Sequence, residues 1–486
     1  MKKSLFLTLT CFVLFQTALI AAPKKTDALV LEDLAYFQEI FENAYVCYDE
    51  VNRTSPIKID TKKMLKEYKQ ILKWREKQGF NDTFENGINQ EALVAPIWTL
   101  MSSLNLNDGH LSIETNENTF YPSPKLWCYF SDYYFKKTGD DYFLTKAPNS
   151  NLIGKKYTGN KNNLHKTVLD NKELYNFTPL LFEAAESSEL ALDNKTYNVP
   201  IYENKRFRDD SVLKLLETPK TLYIRPSSFS YIGESDEDIL FKKTLEDVEK
   251  KSKDKDYIIL DLRGNHGGTR FYSNRLIKSI FANGIEEKND LDGFLDKTEN
   301  GKQELHSSVI ARQELNKVIN NGGTKDDIQF FENEYKEQLD IGKKYYTITG
   351  NLIPGSFPQY QKKTIDAKII VLMDNYTGSR SEETIGILYM INMDNVILIG
   401  ENSSGSLTYG SSLIYELPNS KVRITLCSTS NKKTAIIQFA DHWHGDNQGF
   451  YPDYWTNEKN LLKTLQFITG DNDFSKILKE FDKNLL

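Results

Sequence analysis

The chain has 486 residues and a formal net charge of −7, with 27% charged and 12% aromatic residues. Two or three domains are expected at this length, because a single hydrophobic core stops growing at about 250–300 residues. The acidic balance and the lack of a basic segment argue against a nucleic-acid-binding protein, so we expect no nucleic-acid partner.

The first 22 residues have the composition of a secretory signal peptide. Two lysines precede an apolar run from Leu5 to Phe15, and Ala21 and Ala22 offer a cleavage site. That run is short for a membrane-spanning helix, and no later stretch approaches the roughly 18 apolar residues that a span needs. We expect an exported protein without a stable membrane span. It would be periplasmic, extracellular or associated with the cell envelope.

Residues 23–115 are predicted to form a helical N-terminal module. Apolar residues recur at helical spacing in LEDLAYFQEIFENAY, and two further helices are expected over 61–77 and 89–104. The loop NLNDGH then ends at His110, where the strand HLSIET begins. A single histidine in a loop is more often structural or solvated than catalytic, so a role for His110 needs support from the rest of the chain.

Residues 116–217 are predicted to form a small β-rich subdomain. Short aromatic and β-branched runs, such as DYFLTKA and TYNVPIY, alternate there with glycine, asparagine and proline. None of these runs contains a pattern typical of a catalytic site.

Residues 218–486 are predicted to form an α/β core with a parallel sheet. The strands TLYIRP and DYIILDL are separated by a helical stretch, which is the order of a βαβ unit. The strands KIIVLMD and NVILIG follow later in the chain. A polar, charge-dense insertion at 284–345 interrupts this core and is expected to be a largely helical, solvated segment.

Ser379 lies where the buried strand KIIVLMD is expected to turn into a helix. Parallel sheets place ligands and nucleophiles at such junctions, because the first amide N–H groups of the helix and its dipole favour developing negative charge. Two interpretations remain open. Ser379 is a nucleophile, or Ser379 and Glu382 form the capping box S-x-x-E and only begin the helix.

The turn RGNHGG (263–268) follows the strand DYIILDL and has three glycines in six residues. Such a turn lets the backbone bend tightly and approach a ligand closely. It has neither the order of a dinucleotide-binding loop nor the Gly-Lys-Ser/Thr of a P-loop. We expect the N–H group of Gly267 or Gly268, together with that of Arg380, to hold an oxyanion. The alternative is a plain strand-to-helix turn.

The segment DHWHGD contains His442 and His444 beside two aspartates. An H-x-H pattern with carboxylates can bind a transition metal, but the sequence defines no third ligand. Metal-dependent hydrolysis is therefore a minor alternative, and we expect no metal and no cofactor.

Four segments in a fixed order resemble the C-terminal processing peptidase family, including its tricorn-type branch. They are DYIILDLRGNHGG, IIVLMDNYTGSRSEE, NVILIGENSSG and NQGFYPDYW. The resemblance implies an α/β fold of the crotonase/ClpP-like type and a serine peptidase that acts on proteins or peptides. The family often carries a PDZ domain, and 116–217 occupies that position without a clear equivalent.

The resemblance also implies roles for particular residues. One branch pairs the serine with a lysine in the loop after I-G-E, but here that loop, ENSSGSLTYGSS, has no lysine. The tricorn-type branch uses a histidine in a D-x-H-type loop, which His110 matches, although Gly109 replaces the serine that precedes it in tricorn. Asp446 matches an acidic residue of the last segment, where glutamate is usual. The implied mechanism has Ser379 as nucleophile, His110 as base and Asp446 as its support, with Glu382 orienting the loop.

A non-catalytic binding protein on the same fold remains the main alternative, because the family includes inactive members that bind apolar ligands. An esterase of the α/β-hydrolase fold is disfavoured, since the chain has no G-x-S-x-G elbow.

Overall fold

The computed structural model describes residues 25–281 and 365–474, with gaps at 46, 49–50, 53–55, 105, 206–211, 232 and 431–441, and a few residues between 324 and 336. The predicted signal peptide, Asp441 and most of the 284–345 insertion lie outside the described residues. The chain divides into two compact units. The first unit takes in the described residues of Met1–Ser123, Leu295–Gly355 and Tyr409–Ser430, and the second unit takes in the other described residues.

The first unit combines helices with a small antiparallel sheet. Its helices cover 25–44, Thr61–Gln78 and Gln90–Ser103. A two-stranded hairpin joins Phe84–Glu85 to Ile88–Asn89. The four-stranded sheet has the order Tyr409–Glu416, Arg423–Ser430, Ser112–Glu114 and Thr119–Phe120. The three predicted helices of this region are therefore present.

Side chains define where these helices begin. Asp60 accepts a hydrogen bond from the N–H of Lys63, and Asn89 accepts one from the N–H of Ala92, so both helices have side-chain N-caps. The apolar stripe of the 25–44 helix is fully buried in the core of this unit.

The second unit is built on a six-stranded sheet. Its order is Leu213–Glu217, Thr221–Pro226, Tyr257–Asp261, Lys368–Met373, Val396–Gly400 and Tyr454–Trp455. The first pair is antiparallel and the other four pairings are parallel. The helices of this unit are Asp236–Ser252, Arg270–Ile280, Arg380–Asn392 and Leu461–Thr469. The prediction of an α/β core with a parallel sheet is confirmed.

The central strand of this sheet is buried on both faces, as its continuous apolar run predicts. Ile369 and Val371 enter one hydrophobic core, whereas Ile370 and Leu372 enter another. Because side chains alternate along a strand, these two cores lie on opposite faces of the sheet. The strand is therefore packed on both faces directly before the turn that follows it.

The region predicted to be β-rich consists of short antiparallel strands. They are Trp127–Cys128, Tyr134–Thr138, Asp141–Lys146, Leu164–Leu169, Lys172–Phe177, Leu180–Leu181, Ser187–Leu192 and Lys195–Pro200. They enclose a hydrophobic core of their own and belong to the second unit.

The hairpin Tyr409–Ser430 belongs to the first unit, although its sequence position suggested the α/β core. The strand Arg423–Ser430 pairs with Ser112–Glu114, which is far away in the chain. Pairing between distant strands leaves no local sequence pattern, so it cannot be predicted from the sequence of either strand. None of the described helices combines the length and apolar composition of a membrane span.

Candidate active site

Ser379 lies at the junction between the strand Lys368–Met373 and the helix Arg380–Asn392. Its backbone φ is 52°, a left-handed conformation that is uncommon for a residue with a side chain. Its N–H donates hydrogen bonds to Glu382 Oε2 at 3.0 Å and to Ser406 Oγ at 2.9 Å. The hydroxyl is half-buried and makes no hydrogen bond to any described residue, so it is available to a ligand.

Glu382 connects the Ser379 turn to the loop 403–406. Its fully buried carboxylate accepts hydrogen bonds from the N–H groups of Ser379, Gly405 and Ser406, and from the hydroxyls of Ser403 and Ser406. Burial raises the pKa of this carboxyl, and the hydrogen bonds oppose that rise. The capping residue of the helix is thus also the residue that holds the loop in place.

The glycine turn packs directly against the Ser379 turn. Gly267 has a φ of 98°, and a Cβ at this position would lie 2.6 Å from the backbone nitrogen of Arg380 and 3.0 Å from Ser379 Cβ. The N–H of Gly378 donates to the carbonyl oxygen of Asn265 at 3.1 Å and joins the two turns. Only glycine allows the backbones to approach this closely.

The two glycines predicted to bind an oxyanion differ in their N–H groups. The N–H of Gly267 donates to Asn265 Oδ1 at 2.9 Å, so it is already engaged. Gly268 is exposed, has a φ of 137°, and its N–H makes no hydrogen bond with the described part of the chain. Gly267 therefore provides space for the Ser379 turn, whereas Gly268 has the open N–H.

A buried ion network anchors the glycine turn to the sheet. Asp261 accepts hydrogen bonds from Nε and Nη2 of Arg263, at 2.9 and 2.6 Å, and from the hydroxyl of Tyr223 at 2.7 Å. Nη1 of Arg225 lies 3.7 Å from Oδ2 of Asp261. Burial alone would raise the pKa of Asp261, but the charges of Arg263 and Arg225 and these hydrogen bonds lower it to about 2. This network was not predicted from the sequence. The sequence feature that indicates this network is the charged D-L-R end of the apolar strand.

Glu401 directly follows the strand Val396–Gly400 and is a second buried carboxyl near the site that was not predicted from the sequence. It accepts hydrogen bonds from the side-chain amides of Asn204 and Asn375, the latter at 2.9 Å. Burial and the neighbouring charge of Asp374 raise the pKa of Glu401 to about 8.

A lysine from a distant segment reaches the 403–406 loop. Lys125 Nζ donates to the carbonyl oxygen of Asn375 at 2.6 Å and to Ser404 Oγ at 3.0 Å. Its charge also lowers the pKa of Glu382. The loop has no lysine of its own, and Lys125 supplies a cation beside it.

His110 belongs to the first unit, so its surroundings are those of that unit. Its backbone N–H donates to Asp108 Oδ1 at 2.9 Å, and its Nδ1 lies 3.8 Å from the same oxygen. Nδ1 is buried and makes no hydrogen bond with the described residues. Burial lowers the pKa of His110 below its usual 6.5, and Asp108 opposes this shift, so the ring is neutral at neutral pH.

Asp446 belongs to the second unit and is buried. Its Oδ1 accepts a hydrogen bond from the N–H of Thr408 at 2.8 Å. This contact fixes the carboxylate at the end of the loop that also contains the Glu382 partners.

The H-x-H segment does not form a metal site from the residues that the structure describes. His442 stacks on Tyr389, with its Nε2 3.6 Å from Asp453 Oδ1, and His444 stacks on Tyr451. Within the described ranges, the group with metal-binding geometry is instead Asp108, His110 and Cys427.

The chain has recognisable relatives among known proteins. The model of Peptidase family S41 matches residues 220–440. No curated protein matches the sequence. One similar solved structure is mature CPAF complexed with lactacystin, with 12% identity, coverage of 94% of this chain and 99% of that chain, and a TM-score of 0.41. A second is the photosystem II D1 C-terminal processing protease, with 12% identity, coverage of 91% of this chain and 98% of that chain, and a TM-score of 0.33. A third is the tricorn protease, with 13% identity, coverage of 92% of this chain and 37% of that chain, and a TM-score of 0.28.

Proposed function

We propose that this serine-type peptidase, whose residues 220–440 belong to peptidase family S41, hydrolyses peptide bonds of proteins or peptides through Ser379 and His110. The family match confirms the resemblance inferred from the four sequence segments. Ser379 Oγ attacks the scissile carbonyl carbon, and His110 accepts the hydroxyl proton and returns it to the leaving amine. Water then attacks the acyl-enzyme, again with His110 as base, and frees Ser379. The N–H groups of Gly268 and Arg380 hold the oxyanion.

The left-handed turn at Ser379 is the observation that carries this proposal. A non-glycine residue in such a conformation costs about 1–3 kcal/mol and persists only where its surroundings hold it. Glu382 and Ser406 supply that support through the Ser379 N–H. A serine that only capped the helix would have an extended backbone and a hydroxyl bonded to the first turn. Ser379 has neither feature, which favours the nucleophile over the cap.

The assignment of His110 as base is supported by its sequence context and by its buried, neutral ring. An imidazole must be neutral to accept a proton, and its nitrogen must not be engaged elsewhere. The lowered pKa and the unpartnered Nδ1 of His110 meet both conditions within the first unit. Asp446 is proposed to support the base, and its fixed carboxylate supports that role.

Labelling with a fluorophosphonate probe, which reacts covalently with activated serines, tests this proposal. We expect wild-type protein and the control Ser103→Ala to be labelled, because Ser103 is an exposed serine at a helix end. We expect Ser379→Ala to be unlabelled and to lose hydrolysis of an unstructured protein substrate. Wild-type protein that is correctly folded but unlabelled would overturn the proposal in favour of a non-catalytic binding protein.

Two finer expectations belong to the same proposal. The parallel sheet supports a crotonase/ClpP-like core, and the composition of residues 1–22 supports export with removal of that segment. N-terminal sequencing of the protein recovered from the cell envelope or medium tests the second expectation. A protein that retains residues 1–22 and stays inside the cell would contradict it.

A further inference from the structure

Three potential metal ligands meet in the first unit. A carboxylate oxygen of Asp108, a ring nitrogen of His110 and the Sγ of Cys427 all lie within 4.8 Å of one another. Asp108 Oδ1 is 3.6 Å from Cys427 Sγ and 3.8 Å from His110 Nδ1. A tetrahedral zinc ion separates such ligand atoms by about 3.3–3.6 Å. Small side-chain rotations would therefore bring all three atoms to one ion.

Strand pairing explains why these residues meet. The strand Arg423–Ser430 runs antiparallel to Ser112–Glu114, with Thr425 opposite Ser112. Continuing this register by two residues brings Cys427 opposite His110, and opposite residues place their side chains on the same face. Asp108 is added by the tight turn before the strand, in which its Oδ1 accepts the backbone N–H of His110.

The carboxylate of Asp108 is the buried acidic group of this cluster. Its hydrogen-bond donors are all neutral, namely the hydroxyl of Tyr45 at 3.1 Å, the backbone N–H of His110 and the thiol of Cys427. In the described part of the chain, no lysine or arginine forms an ion pair with Asp108. A buried carboxylate is costly without a positive partner, and a metal ion supplies one. The unpartnered Nδ1 of His110 lies beside the same oxygen.

We propose that Asp108, His110 and Cys427 bind a divalent transition metal ion such as Zn²⁺, and that the bound ion inhibits the peptidase. Imidazole, thiolate and carboxylate are the usual protein ligands of zinc, and water fills the fourth position. The Cys427 thiol releases its proton to solvent when it binds the ion. Inhibition rests on the proposed function, because coordination occupies the imidazole that His110 uses as a base.

Direct metal binding tests the site independently of activity. The full chain is stripped with a chelator, and its Zn²⁺ affinity is measured by competition with a chromogenic chelator in wild type, Cys427→Ala and Cys128→Ala. Cys128 is an equally buried free cysteine of the second unit, so it controls for the loss of a buried thiol. We expect one ion per chain in wild type and Cys128→Ala, and binding at least about 100-fold weaker in Cys427→Ala.

Fluorophosphonate labelling of the same three proteins tests inhibition. The metal-free labelling rate of each protein is its own reference, because Cys427 contacts Asp108 beside the proposed base. Added Zn²⁺ should slow labelling of wild type and Cys128→Ala and leave Cys427→Ala unchanged. Zinc that binds without slowing the labelling of wild type would overturn the inhibitory role.

The metal site itself is overturned by wild-type protein that binds no stoichiometric Zn²⁺, or by Cys427→Ala that binds it as tightly as wild type. If metal-free wild type is not labelled, the proposed function fails. The affinity measurement still decides whether Asp108, His110 and Cys427 bind Zn²⁺. If Cys427→Ala does not fold, the absorption spectrum of wild type with bound Co²⁺ decides whether Cys427 is a ligand. A thiolate-to-cobalt charge-transfer band supports Cys427 as a ligand, and its absence overturns the site.

Discussion

Glu382 accepts a hydrogen bond from the backbone N–H of Ser379, with 3.0 Å between that nitrogen and Oε2. This is one half of a capping box, the contact in which the acidic residue reaches back to the helix start. The other half is absent from the described structure, because the Ser379 hydroxyl bonds to no backbone N–H and φ at Ser379 is 52°. Glu382 therefore holds the helix start, and the hydroxyl of Ser379 is left for a ligand.

Replacing Glu382 by glutamine should destabilise the second unit and slow the labelling of Ser379. Oε1 accepts from the N–H of Gly405, and Oε2 accepts from the N–H groups of Ser379 and Ser406. The NH₂ group of glutamine accepts no hydrogen bond, so either orientation leaves a buried N–H unpaired, at a cost of about 1–3 kcal/mol. Urea unfolding measures the loss. Glu246→Gln, on an exposed helix face, is the control, and equal stability of Glu382→Gln and wild type would contradict the prediction.

Gly267→Ala should slow the labelling of Ser379 by about 100-fold or more, the usual cost of a displaced oxyanion donor. The new Cβ would lie 2.6 Å from the backbone nitrogen of Arg380 and 2.8 Å from the carbonyl oxygen of Gly378, so one of the two turns must move. Gly154→Ala is the matched control. Gly154 also has a positive φ, of 87°, but a Cβ there meets no atom of the described residues within 4 Å. Equal labelling of the two variants would show that the contact between the turns does not matter.

Local patterns predicted most of the elements that position the site. The continuous apolar run before Ser379 predicts a strand buried on both faces, and its residues alternate between two cores as expected. The three N-terminal helices follow from 3.6-residue periodicity, and the structure adds the caps at Asp60 and Asn89. These features depend on neighbours within a few residues, so the sequence contains the information directly.

Contacts between distant segments could not be predicted in the same way. The pairing of Arg423–Ser430 with Ser112–Glu114 brings Cys427 to His110, yet neither strand specifies its partner by composition. Lys125 reaches Ser404 from a distant segment, so the absence of a lysine within the loop did not exclude a cation beside it. The burial of Glu401 likewise depends on the completed sheet.

Glu401→Gln should weaken the pH dependence of stability between pH 4.5 and 8. Burial and the charge of Asp374 raise the pKa of Glu401 from 4.5 to about 8. A carboxyl whose pKa is raised in the folded state adds to the free energy of unfolding. Its full contribution is present below pH 4.5 and is lost as the pH rises through 8. The slope is at most about 1.4 kcal/mol per pH unit for one proton. Urea unfolding at pH 5 and pH 8 should show a larger loss for wild type than for Glu401→Gln. Parallel losses would contradict the assignment, and Glu246→Gln should behave as wild type.

His110→Ala should lower both labelling and peptide hydrolysis by about 10²–10⁴-fold, the usual contribution of a general base. The proteins are compared in chelator, so that bound metal affects neither rate. Asp446→Asn should cause a smaller loss, because asparagine keeps an oxygen that can accept the Thr408 N–H while it removes the negative charge. Asp446→Ala, which also removes that hydrogen bond, should lose stability in urea as well as activity.

A comparison of His110→Ala with Lys125→Met decides whether His110 or Lys125 is the base. A loss in His110→Ala that exceeds the loss in Lys125→Met supports the Ser379–His110 pair, since Lys125 is engaged with Asn375 and Ser404 and acts through charge on Glu382. Abolition of labelling by Lys125→Met, together with normal labelling of His110→Ala, would identify Lys125 as the base. Far-UV circular dichroism of both variants separates a lost base from a lost fold, because a folded variant retains the helical and strand signals of the wild type.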